Sequence, residues 1–497
     1  MKRNIWGWGY GNKLVESDFS STLNLLKEIL PPPKFRFKEP TEQEILCTIR
    51  NSRFKDLPKN LQHIFTNDKL ERAARTFGKS FRDIVRGLSL EFDNPPDYIC
   101  FPENQNQILE ILQWASSTET VVIPFGGGSS VSGGVEPLIT SKRVVTMDLT
   151  KNFNKVISIN EKDMTATIQA GIFGPALSLQ LSKQGFTFRH FPQSFEFSTL
   201  GGWVVTKSGG HFATNQTHID RFVVGMKIVT PRGIVSTNLY PSTGAGPNPD
   251  SVFFGSEGIL GIVTEVTLRI HHPPKYKNSI VVNFNSFEEG IDAVREIAQT
   301  NLFPSQCRLV DPLESMSMGL KPETTLLLGF ESDSIKGDSV VNELFIAGSS
   351  ICDKFGGKPQ LNKRMEESAT DSEIWKKNFI ALPYLPHVYS NGPASYYTVT
   401  TLASSKDKML EEWDNLKSKV SEVLLNNDAT ITHHHSVGKD HKAVFLKEKD
   451  KVWIDTLTNL KKFYDNKGIL NPGTLIDNLQ PSNISKNFGT DFFLAKI

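Results

Sequence analysis

The feature that most constrains this chain is the stretch at residues 121–137, Val-Val-Ile-Pro-Phe-Gly-Gly-Gly-Ser-Ser-Val-Ser-Gly-Gly-Val-Glu-Pro. A β-branched run, Val121-Val122-Ile123, stops at Pro124 and opens into Gly126-Gly127-Gly128, followed by Ser129, Ser130 and Ser132. Glycines let successive backbone N–H groups converge into an anion nest and let the chain approach a ligand closely. Serine hydroxyls add donors. The pattern predicts a phosphate-holding loop. It is not the G-x-G-x-x-G fingerprint, and no Lys follows as a P-loop requires. Residues 143–149 read as a strand, so the loop joins two strands instead of opening a helix. Composition by itself also allows a flexible surface loop, and the choice between the two rests on what lies downstream.

With 497 residues the chain has room for two or three domains. Its 55 Lys and Arg nearly cancel 54 Asp and Glu, which argues against an electrostatic nucleic-acid binder or a polybasic membrane anchor. Cys47, Cys100, Cys307 and Cys352 form no C-x-x-C pair, which argues against a zinc site or a disulfide scaffold and for a reducing compartment. No apolar run has signal-peptide or membrane-spanning length, so the sequons at Asn215 and Asn483 read as unused. The final Ala495-Lys496-Ile497 has the form of a peroxisomal address.

Residues 1–96 read as a helical N-terminal segment, with helical patterning at 41–50 and 68–85. An amphipathic helix over 104–117 buries Ile108, Ile111, Leu112 and Ala115. Strands follow at 144–149, 156–159 and 165–170, then a helix between Pro175 and Gly185. A hairpin turns at Pro231-Arg232-Gly233 between 222–229 and 234–236, and a strand spans 260–270. These elements predict an α+β domain over 97–273. After His271-His272-Pro273-Pro274 a second unit, 274–430, alternates strands (279–284, 324–330, 396–401) with helices (287–298, about 340–352, and one through Leu410, Trp413, Leu416, Val420, Val423 and Leu424). Such units predict a ferredoxin-like sheet covered on one face. Residues 431–497 carry a helix over 452–464 and return to the first domain.

Three more motifs follow the glycine loop in order: Phe195-Glu196-Phe197-Ser198-Thr199-Leu200-Gly201-Gly202-Trp203, Gly209-Gly210-His211-Phe212-Ala213-Thr214, and Gly255-Ser256-Glu257-Gly258-Ile259-Leu260-Gly261-Ile262-Val263. The set resembles the FAD-binding domain of the vanillyl-alcohol-oxidase flavoprotein superfamily. That resemblance implies FAD as cofactor. Its pyrophosphate would be held by Gly126, Gly127, Gly128, Ser129 and Ser130, with Pro124 beside them in the cofactor-binding set. Its isoalloxazine would be lined by Thr199 and Gly202, and its adenosine half would lie near Glu257 and Val263. Ser194, Gly201, Ser208, Gly209, His211, Gly258 and Gly261 complete the implied set. For Glu257 a plain surface carboxylate is the competing reading.

Within that superfamily the chain resembles the alkylglycerone-phosphate synthase family through Trp6-Gly7-Trp8-Gly9-Tyr10, His190, Arg308-Leu309-Val310-Asp311, Tyr396 and His433-His434-His435-Ser436-Val437-Gly438-Lys439. The resemblance implies a peroxisomal homodimer, in peripheral contact with a membrane, that exchanges the acyl chain of acyl-dihydroxyacetone phosphate for a long-chain fatty alcohol. Flavin N5 serves that family as a covalent trap, with no net redox. The catalytic set it implies is Tyr396 for proton transfer, with Arg308, His190 and the histidine triplet beside flavin and substrate.

Each of these residues has an ordinary alternative. On an extended segment His433 and His435 point one way and His434 the other; no further ligands are spaced for a metal, and a core or surface histidine run is possible. His190 can be a plain loop histidine, Tyr396 a packing residue, and Arg308 a salt-bridge partner of Asp311. The chain also departs from the family: the second unit is shortened near 385–390, where an arginine is missing that Lys376, Lys377 or His387 would have to replace, and Gln193 stands where some relatives have an acid. Two rival readings stay open, a FAD-dependent 2-hydroxyacid dehydrogenase of the D-lactate type and a catalytically impaired FAD-binding homologue.

Overall fold

A computed structural model describes residues 4–9, 37–139, 142–210, 218–237, 239–240, 243–312, 315, 321–334, 336–359 and 404–476. The N-terminal part forms short helices α1 (Glu42–Thr48), α2 (Lys69–Ala73) and α3 (Phe81–Leu88). The helical pattern over 68–85 is therefore two helices. The chain turns at Gly78, where a Cβ would run into the Ser130 carbonyl. Ser80 then restarts it, bonding reciprocally with Asp83 in a capping box.

The first sheet comprises β1 (Phe65–Thr66), β2 (Tyr98–Cys100), β3 (Val121–Phe125) and β4 (Val144–Asp148), ordered β1-β2-β4-β3, with β4 parallel to β2 and to β3. Parallel neighbours need a crossover. Helix α4 (Gln105–Thr118) connects β2 to β3 and buries Ile108, Ile111, Leu112 and Ala115 against the sheet. From β3 to β4 the connection is the glycine-rich loop itself, which therefore leaves the carboxyl end of β3.

The second sheet, β5 (Val156–Asn160), β6 (Thr165–Gln169), β7 (Val223–Thr230), β8 (Gly233–Ser236) and β9 (Ile262–Arg269), is antiparallel in the order β5-β6-β9-β7-β8. Its apolar face, including Ile168, Met226 and Val266, packs with α5 (Gly174–Ser182) and α6 (Leu200–Thr206) into the largest core.

The third sheet has β10 (Tyr276–Phe284), β11 (Gln306–Val310), β12 (Thr324–Ser332) and β13 (Lys358–Pro359) in the order β11-β12-β10-β13, with α7 (Phe287–Gln299) after β10 and α8 (Gly337–Lys354) after β12. All pairings are antiparallel. This is the β-α-β-β-α-β ferredoxin-like arrangement, with both helices contributing to one shared core through Ala293, Ile297, Val341 and Cys352. The expected strand at 396–401 lies outside the described residues. Helices α9 (Lys406–Asn426), α10 (Lys442–Glu448) and α11 (Lys451–Tyr464) follow. Phe445 and Leu457, from the last two, join the core of the second sheet.

The tail then returns to the first sheet. Val122 N–H donates to the Ile469 carbonyl at 2.9 Å, and Asn471 N–H to the Val122 carbonyl at 3.0 Å. Among the described residues no helix is long and apolar enough to cross a membrane.

Candidate functional site

A cavity of about 380 Å³ opens where the glycine loop, the start of α6, the 255–263 turn and the 434–441 segment converge. It is lined by Pro124, Gly126, Gly127, Gly128, Ser129, Ser130, Ser194, Thr199, Gly201, Gly202, Ser208, Gly209, Glu257, Gly258, Gly261 and Val263. His211 lies outside the described residues. Close approach explains the glycines. A Cβ on Gly126 would meet Thr199 Oγ1, one on Gly127 the Phe197 carbonyl, and one on Gly128, at φ +65°, the Phe125 ring. At such distances only residues without a Cβ fit, so a ligand here meets backbone instead of side chains.

Thr199 caps α6, its hydroxyl accepting from Gly202 N–H at 3.4 Å. Trp203 Nε1–H donates to Ser198 Oγ at 2.7 Å and stacks on Phe195, so this cavity wall is rigid. His190 does not line the cavity. It is fully buried among Phe188, Trp203 and Phe222. Its Nε2 lies 2.8 Å from the hydroxyl of Ser208, which does line it.

Glu257 is no surface carboxylate. It is 6% exposed and sits at φ +49°, between Gly255 and Gly258, in a region non-glycine residues seldom enter. Its Oε1 accepts from Val437 N–H at 2.8 Å and from Gly438 N–H at 3.0 Å, and its Oε2 from Gly438 N–H at 2.9 Å. Burial pushes its carboxyl up to about 7 against those hydrogen bonds and against Lys439. Lys439, buried and held down to about 8, donates to the Gly133 carbonyl and to Thr474 Oγ1, each at 3.1 Å. Asn471 Nδ2–H bridges the carbonyls of Gly134 and Glu257 at 2.9 and 2.8 Å. The far end of the chain is thus latched onto the glycine loop.

That latch carries the histidines, and here the extended-strand expectation is overturned. Residues 433–435 form bends, not a strand. His433 Nδ1 lies 2.9 Å from His434 Nδ1, and the His434 and His435 rings are 4.1 Å apart, so neighbours touch instead of alternating. His434 and His435 line the cavity; His433 packs on His218 outside it. The burial of these rings also sets their charge. Burial pushes His435 well below the usual histidine range, with His434 and Lys417 adding to it. Burial and His218 lower His433, and burial takes His441 down to about 3. Those imidazoles are neutral at pH 7.

Arg308 lies on β11, paired with Leu327, and does not line this cavity. Tyr396, Lys376, Lys377 and His387 lie outside the described residues. Among the described residues no three His, Cys, Asp or Glu side chains gather as a metal site. Sequence reasoning missed Lys417, His441 and the Met409–Trp413 face of α9, which also line the cavity; their 3.6-residue period marked a helix but not what the helix faces.

A family model described as "FAD binding domain" matches residues 96–238, and one described as "FAD linked oxidases, C-terminal domain" matches residues 273–386 and 359–475. The chain belongs to the FAD-binding flavoproteins of the vanillyl-alcohol-oxidase type. Its cofactor is FAD. Among relatives of this flavoprotein, alkyldihydroxyacetonephosphate synthase of Dictyostelium discoideum is 29% identical, over 86% of this chain and 81% of that one. The Trypanosoma brucei brucei enzyme of the same name is 27% identical, over 82% and 78%. D-lactate dehydrogenase [cytochrome] 1 of Saccharomyces cerevisiae is 26% identical, over 78% and 74%. A solved alkyldihydroxyacetonephosphate synthase superposes with a TM-score of 0.72 at 24% identity, over 95% of this chain and 98% of that one. p-Cresol methylhydroxylase superposes with a TM-score of 0.66 at 12% identity, over 88% and 98%. The shared feature is the fold. The glycine cradle, which tolerates no Cβ, suits the diphosphate of FAD.

Proposed function

We propose that this flavoprotein exchanges the acyl chain of acyl-dihydroxyacetone phosphate for a long-chain fatty alcohol, giving alkyl-dihydroxyacetone phosphate and a fatty acid. The observation that supports the reading best is the convergence of His434 and His435, brought from the far end of the chain, on the cavity beside the glycine cradle. The backbone of Gly126, Gly127 and Gly128, with Ser129 and Ser130, holds the diphosphate of FAD. Thr199, Gly201, Gly202, Ser208 and Gly209 border its ring, and Glu257, Gly258, Gly261 and Val263 border its adenosine side. Bound FAD supplies a nucleophilic ring nitrogen.

The protein's own contribution is positioning and proton transfer. A neutral imidazole has a free lone pair and one N–H, so His435 can accept a proton from one partner while donating a hydrogen bond to another. Tyr396 serves as the proton-transfer phenol. Ionising a free phenol of pKa ~10 at pH 7 costs about 4 kcal/mol, a demand that an N–H donated to the phenolate oxygen by a neutral histidine would lower. The peroxisomal setting rests on the family resemblance.

The deciding assay supplies purified holoprotein with acyl-dihydroxyacetone phosphate and labelled fatty alcohol. Label recovered in an ether lipid is the expected result. A second reading, oxidation of a 2-hydroxyacid, draws on the likeness to D-lactate dehydrogenase. Anaerobic bleaching of the flavin by D-lactate, with no label transfer, would replace the first reading by the second.

A further inference from the structure

We propose that Lys417 is the counterion for the substrate's phosphate, placed at the polar end of an amphiphilic slot between two helices. This deepens the acyl-dihydroxyacetone phosphate reading above and rests on it.

Helix α9 turns Met409, Trp413 and Lys417 toward the cavity, at i, i+4 and i+8. Across from them α3 presents Phe81, Ile84 and Leu88, at i, i+3 and i+7. The two helices are held together by the Phe81 and Trp413 rings, 5.0 Å apart, and by the Arg82–Asp414 ion pair. The slot between them is apolar until the Lys417 position.

There the Lys417 ammonium sits 5.5 Å from the Trp413 ring centroid, and no hydrogen bond or salt bridge to a described residue holds it. Burial pushes its pKa down. The groups facing it are the neutral His435 and His441, and Asp440, whose charge is shared with Arg82 and Lys439. Lys417 is half-buried at the cavity wall; a cation partly withdrawn from water without a bonded anion is costly, and an incoming oxyanion relieves that cost. Its position favours a ligand with a phosphomonoester head and a hydrocarbon tail, the head at Lys417 and the tail running back along Trp413 and Met409.

The test is calorimetric titration of the FAD-loaded protein with dihydroxyacetone phosphate and with unphosphorylated dihydroxyacetone. Expected are binding of the phosphate ester only, weakening by about tenfold or more in Lys417→Gln, and recovery to within about threefold in Lys417→Arg, with FAD content equal in all three proteins. Equal affinity in wild type and Lys417→Gln, or no binding by wild type, overturns the proposal. Loss of FAD from Lys417→Gln also overturns it, assigning the residue to the cofactor's diphosphate. The labelled-alcohol assay on wild type is scored separately. Lys417-dependent binding without turnover keeps the phosphate site and removes the synthase reading; turnover with Lys417-independent binding does the reverse.

Discussion

Replacing Glu257 by Gln separates the latch from its charge. The carboxyl has an ordinary pKa of 4.5 and burial raises it to about 7 in the folded protein. A raised folded-state pKa means that the unfolded chain ionises first. The stability that the Glu257 carboxyl contributes is therefore greatest below pH 4.5, is lost as pH rises from 4.5 to about 7, and does not change above that. At 1.36 kcal/mol per pH unit that interval is worth about 3 kcal/mol. Gln cannot ionise, yet its carbonyl oxygen can take the Oε1 position, where the Val437 and Gly438 N–H groups are accepted at 2.8 and 3.0 Å. Glu257→Gln is expected to remove this contribution from the pH profile, leaving those of other buried groups such as Asp83 and His435, and to exceed wild type by about 1–3 kcal/mol at pH 8. Glu257→Ala removes the acceptor and leaves two buried N–H groups unpaired, at about 1–3 kcal/mol each, so it forfeits the gain. Lys439 does not blur this window: lowered from 10.5 to about 8, it depresses stability only as pH falls from 10.5 toward 8. The assay is urea unfolding between pH 4.5 and 8, followed by circular dichroism and flavin release. Parallel pH profiles for wild type and Glu257→Gln would refute the reasoning.

Three further outcomes follow from the site. Gly127→Ala drives a Cβ into the Phe197 carbonyl, a backbone atom that cannot swing aside; at about 1–3 kcal/mol of strain, FAD affinity measured by fluorescence quenching should fall about tenfold to a hundredfold. His190→Phe keeps the aromatic packing but removes the 2.8 Å bond to Ser208, and should cost about 1 kcal/mol with a change in the flavin spectrum; an unchanged spectrum would show that Ser208 does not need the imidazole. Tyr396→Phe is expected to abolish turnover while FAD stays bound, and retained turnover would remove the proton-transfer role.

Much of the architecture was legible because local chemistry and tertiary structure agree. The Ile108, Ile111, Leu112 and Ala115 spacing marked a helix whose buried face is made of those four residues, and Pro231-Arg232-Gly233 marked the β7–β8 turn. Residues 68–85 misled because their helical periodicity runs through Gly78, whose constraint is a contact with Ser130, 52 positions away in sequence. The glycine loop was readable for the same reason that it is rigid: only residues without a side chain fit there. Ordering the histidines was not, since alternation assumes an extended backbone and the latch to Glu257 bends it. Their neutrality was equally hidden, because burial beside Lys417 depends on packing between α9 and the tail.

The backbone bonds joining Val122 to residues 469–471 also bear on how the protein is made. At synthesis rates of about 5–20 residues per second, more than ten seconds separate the first wall of the flavin chamber from its last. Throughout that interval a nascent chain can offer only half a socket, so cofactor capture belongs to the closing moments of biosynthesis, and loss of the segment around Leu470 would uncouple a well-formed early sheet from its pigment.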